Sequence, residues 1–562
     1  METINEQTLD NILKESYPPW VHRHIDIPDI SVYQALVNSS IKYSGNIAID
    51  FMGTKISYKT LKDEVDALAA NLNGMGLKKG DKVAVMLPNI PQYVTYFFAV
   101  LKLGGVVVQV NPLYTTRELE YEIKDSGSSI LVIMDEFVEK AMPLYPSIMG
   151  KIIVVRVKDY LPPVISNIYS LSTMKKRKKI LESENIIISK RPRDMSEGEK
   201  AVDIDPEHDA ALIQYTGGTT GEPKGAVLSH KNLISNAYQI IESLPDKYKE
   251  NTTYLSAIPF FHVYGMMTAM LTPIIQGSTI ILAPDPRNIK MILSILEKKK
   301  PTAFPGIPTM YHSLLNYKNI EKYNLKNVKI CISGASSLPV ELQKQFEELT
   351  GSILVEGYGL SECSPVANIT PLVEEDREKW RRFGSVGLPA PNTYERVVSL
   401  EDGRSDVPIG EQGELLIKGP QVMIGYWNRP EENKKVLENG WLHTGDIARI
   451  DKDGYVYIVD RKKDLIIAGG YNIYPREVED VIYENPKVSQ CAIIGVPDEH
   501  RGENVKAIIV KKDDTLNEEE IVNFCRDRLA VYKIPKIVEF RESLPLTLVG
   551  KIDKKQLRNE KN

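Results

Sequence analysis

The chain has 562 residues, 42% of them apolar and 26% charged, with a net charge of −5 at pH 7. That is the balance of a globular protein with room for several domain-sized units, and it excludes the global basic field of a nucleic-acid binder. No apolar run approaches the ~18 residues of a bilayer span, and residues 1–6 lack the basic-then-apolar order of a signal peptide. The four cysteines are scattered without a CxxC pair, which fits a reducing compartment and argues against a disulfide framework or a zinc site. A cytoplasmic location is expected.

From about residue 45 to 290, helix-like and strand-like stretches alternate. Residues 83–87, 106–110, 129–133, 211–215 and 278–282 read as buried strands, and 58–75 and 91–103 as helices. Continuous apolar runs between helices predict an α/β fold with mostly parallel sheets covered on both faces. Residues 161–179 stand apart, because apolar residues precede five consecutive cations, Lys175-Lys176-Arg177-Lys178-Lys179. A membrane-surface contact and a solvated insert compete for this segment; charge runs are commonly solvated surface, which favours the insert.

The run Tyr215-Thr216-Gly217-Gly218-Thr219-Thr220-Gly221-Glu222-Pro223-Lys224-Gly225 follows the fourth of those strands. Its glycines, hydroxyls and single lysine suit a polyphosphate, but it lacks the Gly-Lys-Ser/Thr step of a Walker loop. Farther on, Gly357-Tyr358-Gly359-Leu360-Ser361-Glu362 superficially resembles a dinucleotide fingerprint. Glu362 stands where the third glycine belongs and would repel a pyrophosphate, unless Mg2+ sits between them. From about 384 to 460 the texture changes to short strands with turns at Asp402-Gly403 and Asp453-Gly454, a small β subdomain. Within it, Thr444-Gly445-Asp446 reads as an aspartate after a tight turn, suited to the hydroxyls of a ribose. The charge cluster Asp460-Arg461-Lys462-Lys463-Asp464 marks a hinge candidate. A compact α+β unit follows, with a helix opening at Pro475, strands near 488–496 and 503–511, and a helix at about 517–529. Lys551 closes the last motif, Pro545-Leu546-Thr547-Leu548-Val549-Gly550-Lys551.

Taken in this order, and together with Pro259-Phe260-Phe261-His262-Val263-Tyr264-Gly265 and Ser333-Gly334-Ala335-Ser336, these blocks resemble the acyl-adenylate-forming (AMP-binding) superfamily. Residues 110–119 and 261–265 are further similar to bacterial-type long-chain fatty acyl-CoA synthetases. The resemblance implies an N-terminal domain over 1–462 and a mobile C-terminal domain over 463–562. It implies that Thr216, Gly217, Gly218, Thr219, Thr220, Gly221 and Lys224 hold the ATP phosphates, and that Gly334, Ala335 and Tyr358 border adenine. Ser361 would meet the α-phosphate, Thr216 and Glu362 would serve Mg2+, and Asp446 and Arg461 would hold the ribose. His262 and Gly265 would border the acyl pocket, Lys463 would be the hinge, and Gly469 and Gly470 would lie near the CoA entrance. Lys551 would be the lysine of adenylation. Two departures stand out: Gly218 interrupts the usual loop order, and Ser361 replaces a threonine while keeping the hydroxyl.

The implied activity is an ATP-dependent ligase joining a fatty acid to CoA through an acyl-AMP intermediate. A medium-chain or aryl acid, and a carrier protein in place of CoA, remain open as alternatives. The implied partners are small molecules, with a peripheral contact at the inner membrane surface as a further option.

Overall fold

The computed structural model describes residues 5–173, 182–192, 200–216, 223–462, 464–468, 471–498, 501–547 and 551–560, without the side chains of 171–173 and 471–472. The expected loop residues Gly217, Gly218, Thr219, Thr220 and Gly221, the hinge candidate Lys463, Gly469 and Gly470, and the cations 175–179 lie outside them.

Two large sheets carry the first two-thirds of the chain. One has eight strands in the order 425–426, 224–229, 210–216, 106–109, 82–86, 130–134, 151–155 and 186–188. All its pairings are parallel except those flanking Lys224–Ser229. The other has nine strands and runs from Leu388–Pro389 through Ile353–Gly359 and Ile330–Ser333 to Thr54–Ser57. Buried strands such as Ile130–Met134 are apolar throughout because helices cover both faces. The helix Pro91–Lys102 is buried along its whole length and starts on proline, whose fixed φ suits the first helical position. The expected strands and helices of this region are present, shifted by a residue at some ends.

The β subdomain forms around Tyr394–Val398, Gly413–Lys418, Trp441–Ile450 and Val456–Arg461. The β subdomain departs from the sequence expectation at one strand. Thr444-Gly445-Asp446 is not in a turn but inside the ten-residue strand Trp441–Ile450. Gly445 has φ 69°, and the register with Gly413–Lys418 slips at this point, so the strand kinks instead of ending. The last unit has its own sheet and apolar core, with Ile473, Val478, Ile482, Ile493, Ala507, Ile509 and Ile521 fully buried. Its helix Glu518–Arg526 is shorter than the sequence suggests.

Candidate active site

A cavity of about 1790 Å³ lies where strand ends of both large sheets, the β subdomain and the C-terminal unit converge. Its wall includes Ile353–Gly359, which runs antiparallel to Val366–Ile369 after a short helical turn at Ser361–Cys363. A Cβ on Gly359 would lie 1.8 Å from the Pro365 carbonyl oxygen, so this close approach requires glycine. The turn brings Ser361 and Glu362 to the cavity. Tyr426 donates its hydroxyl to Glu362 Oε1 at 2.6 Å, and the Met423 amide donates to the Glu362 carbonyl at 2.8 Å.

Asp446 and Arg461 sit opposite each other on paired strands, with Arg461 Nε 3.3 Å from Asp446 Oδ1. Tyr358 donates its hydroxyl to Asp446 Oδ2 at 2.6 Å. Burial, and then the Asp446 charge, push the Tyr358 phenol well above its ordinary range, so it remains a neutral donor. Asp446 in turn raises Arg461. The three groups form one rigid, charge-assisted set beside the 3₁₀ turn.

Thr216 ends strand Ala210–Thr216 directly opposite Lys224, and its hydroxyl donates to the Lys224 carbonyl at 3.3 Å. The Lys224 ammonium is paired with Glu432 and lies 5.4 Å from the centre of the Tyr426 ring. A phosphate would have to compete with that carboxylate. Gly334 and Ala335 follow strand Ile330–Ser333, Ala335 at φ 69°. A Cβ on Gly334 would come within 2.8 Å of the Tyr264 ring, whose hydroxyl donates to the Ile332 carbonyl at 2.8 Å. This glycine lets the chain pass flat against an aromatic wall.

His262 precedes the helix Val263–Met266, and its Nδ1 accepts the Tyr264 amide at 3.2 Å. Burial first, and then the charge of Lys551, lower the imidazole to about 3, so it is neutral at physiological pH. The C-terminal Lys551 and the N-terminal His262 line the same cavity. Thr547 steadies Lys551: its hydroxyl accepts the Lys551 amide at 3.1 Å, and its amide donates to the Lys551 carbonyl at 2.6 Å.

Gly265, expected at the acyl pocket, sits against backbone. It does not line the cavity; a Cβ there would lie 2.2 Å from the Pro259 carbonyl oxygen. Its size lets the helix pack on the preceding loop. Sequence reading overlooked Tyr426 and Glu432, the partners of Glu362 and Lys224; an aromatic one residue past Gly425 was their only local signal.

The AMP-binding enzyme family model matches residues 38–427, and that of the AMP-binding enzyme C-terminal domain matches 477–551. The chain belongs to the AMP-binding enzyme family. Its relatives within that family include a long-chain-fatty-acid–CoA ligase of Bacillus subtilis (strain 168), 44% identical over 97% of this chain and 97% of the relative. A long-chain-fatty-acid–CoA ligase of Escherichia coli O6:H1 is 38% identical over 96% of this chain and 98% of the relative. The AMP-binding fold extends to a crystal structure of the anthranilate CoA ligase AuaEII in complex with anthranoyl-AMP. That structure has a TM-score of 0.83, is 25% identical and covers 95% of this chain and 98% of its own.

Proposed function

We propose that this chain is an AMP-forming long-chain fatty acid–CoA ligase working in two half-reactions. The observation that carries the reading is Lys551, brought from the C-terminal unit into the cavity that also holds Glu362, Asp446, Arg461 and Thr216. The full-length likeness to long-chain-fatty-acid–CoA ligases supports the substrate class.

In the first half, a fatty carboxylate attacks the α-phosphorus of ATP and pyrophosphate leaves. Two anions must meet, so the principal task is electrostatic. Lys551 neutralises charge on the α-phosphoryl group, and Ser361 donates to one of its oxygens. Asp446 and Arg461 hold the ribose, with Tyr358 fixing Asp446 while its ring borders adenine beside Gly334 and Ala335. Thr216 and Lys224 face the phosphates, a role the family resemblance also gives to Gly217, Gly218, Thr219, Thr220 and Gly221. Neutral His262 borders the acyl carboxylate without adding charge. In the second half, the CoA thiol attacks the acyl carbonyl, the thioester C–S bond forms, and AMP leaves. Lys551 is then superfluous. Turning the C-terminal unit about Lys463 would withdraw it and bring residues 469–470 to the thiol path.

The site fits Mg2+, since the Thr216 hydroxyl and the Glu362 carboxylate offer hard oxygen ligands. Among the described residues, no group of three or more His, Cys, Asp or Glu is placed to hold a metal. The ion would therefore complete its shell from phosphate oxygens and water. When bound, it supplies positive charge to the phosphates.

Among the described residues, no helix is long and apolar enough to cross a membrane. A peripheral contact belongs to this reading. Helix Pro163–Thr173 turns Val164 and Ile168 outward, 71% and 62% exposed, and the chain continues into the cations 175–179. Exposed apolar side chains beside a cationic run suit an anionic lipid surface.

Pyrophosphate release across acids from acetate to long fatty acids, with and without CoA, tests the reading. Release strongest with long-chain acids, and thioester formed with free CoA, is expected. Release only with short or aryl acids, or transfer only to a carrier protein, would contradict it.

A further inference from the structure

One residue of the C-terminal unit reaches deep into the part of the chain that holds the nucleotide side of the cavity. Arg476 is the second residue of helix Pro475–Tyr483. Its amide donates to Asp460 Oδ2 at 2.9 Å, and its Nη1 donates to the Ile458 carbonyl at 2.9 Å. Its Nη2 lies 3.6 Å from Glu356 Oε1. Glu356 stands two residues before Tyr358, on the strand that walls the cavity. Both side chains of the pair are largely buried, 12% and 8% exposed. Other charges crowd the guanidinium: Asp480, on the same helix, approaches its Nε at 3.9 Å. Glu356 is held up at about 7, first by burial, against the lowering influence of Arg476.

Arg476 therefore makes three contacts from the C-terminal helix, to Ile458, Asp460 and Glu356, and all three partners precede the hinge candidate. A rotation about residue 463 that withdraws Lys551 would carry Arg476 away from Glu356, which lies far from that pivot in the chain. A buried ion pair is weak evidence for overall stability, because desolvation offsets its attraction. It is effective at selecting one arrangement over another, since separating the partners without new ones strands buried charge.

We propose that Arg476 is a positioning residue: its pair with Glu356 latches the C-terminal unit in the orientation that holds Lys551 in the cavity. The latch favours adenylate formation, and its release is part of passing to the thioester step. This inference rests on the two-step reading given above.

Full-length wild type, Arg476→Ala, Arg476→Lys, Glu356→Gln and the Arg476→Ala/Glu356→Gln double variant provide the test. Two rates are measured for each: acyl-AMP formation in the absence of CoA, and thioester formation from supplied acyl-AMP and CoA. Arg476→Ala is expected to slow the first by about tenfold or more while leaving the second unchanged or faster. Arg476→Lys should recover part of the loss, and the double variant should fall no lower than Arg476→Ala. Glu356→Gln leaves the Arg476 bonds to Ile458 and Asp460 in place and should move the ratio of the two rates in the same direction, so it decides the matter if Arg476→Ala does not fold. Equal loss of both rates, or an unchanged ratio, would overturn the latch. Failure of the wild type to form acyl-AMP would instead overturn the two-step reading.

Discussion

At the scale of single residues, charged and polar groups of the candidate site are already tied down by hydrogen bonds. Tyr358 ties down Asp446, and Tyr426 ties down Glu362, each through one hydroxyl at 2.6 Å. Such preorganisation costs nothing at the moment of reaction. Another buried carboxylate nearby carries a measurable penalty. Glu395 is 1% exposed; one oxygen accepts from Asn368 at 3.1 Å, and Oε1 is without a hydrogen-bond partner among the described residues. Burial raises it to about 8 from its ordinary 4.5. The folded chain therefore binds more protons than the unfolded chain between those values, so stability falls as pH rises through that window. Glu395→Gln removes the titration and keeps the shape. Urea unfolding is expected to show the variant gaining on wild type from pH 5 to pH 8.5, by up to about 4 kcal/mol. A constant difference across that range would show that Glu395 does not titrate there.

At the scale of elements, the parallel strands were legible because uninterrupted apolar runs leave few alternatives once helices flank them. The strand Trp441–Ile450 was not, because Thr444-Gly445-Asp446 has turn composition and only the pairing with Gly413–Lys418 and Val456–Arg461 keeps it extended. Tertiary pairing overrode local preference. Gly265 shows a related limit: the sequence marks a position that must be small but not that the Pro259 carbonyl oxygen stands where a Cβ would go. The helix Pro163–Thr173 carries its own prediction. If its outward face meets anionic lipid, Ile168→Asp should weaken co-sedimentation with phosphatidylglycerol vesicles about tenfold or more, each buried aliphatic side chain contributing roughly 1.5–3 kcal/mol. Pelleting identical to wild type would leave the segment a solvated insert.

At the scale of the whole molecule, the ordered motif blocks exposed the chemistry, whereas the contacts that unite them lay hidden. Glu362 and Tyr426, Lys224 and Glu432, and Glu356 and Arg476 meet only after two sheets, a β subdomain and a C-terminal unit have assembled. No local pattern encodes partners so far apart in the chain. In the proposed two-step reaction only the first half-reaction needs Lys551, which lines the assembled cavity, and that asymmetry is central. Its most direct test compares wild type with Lys551→Ala in both halves. Pyrophosphate release with a long-chain acid should fall on the order of 10²–10³-fold, while thioester formation from supplied acyl-AMP and CoA stays within a few-fold of wild type. Equal losses in the two halves, or undiminished pyrophosphate release, would contradict it.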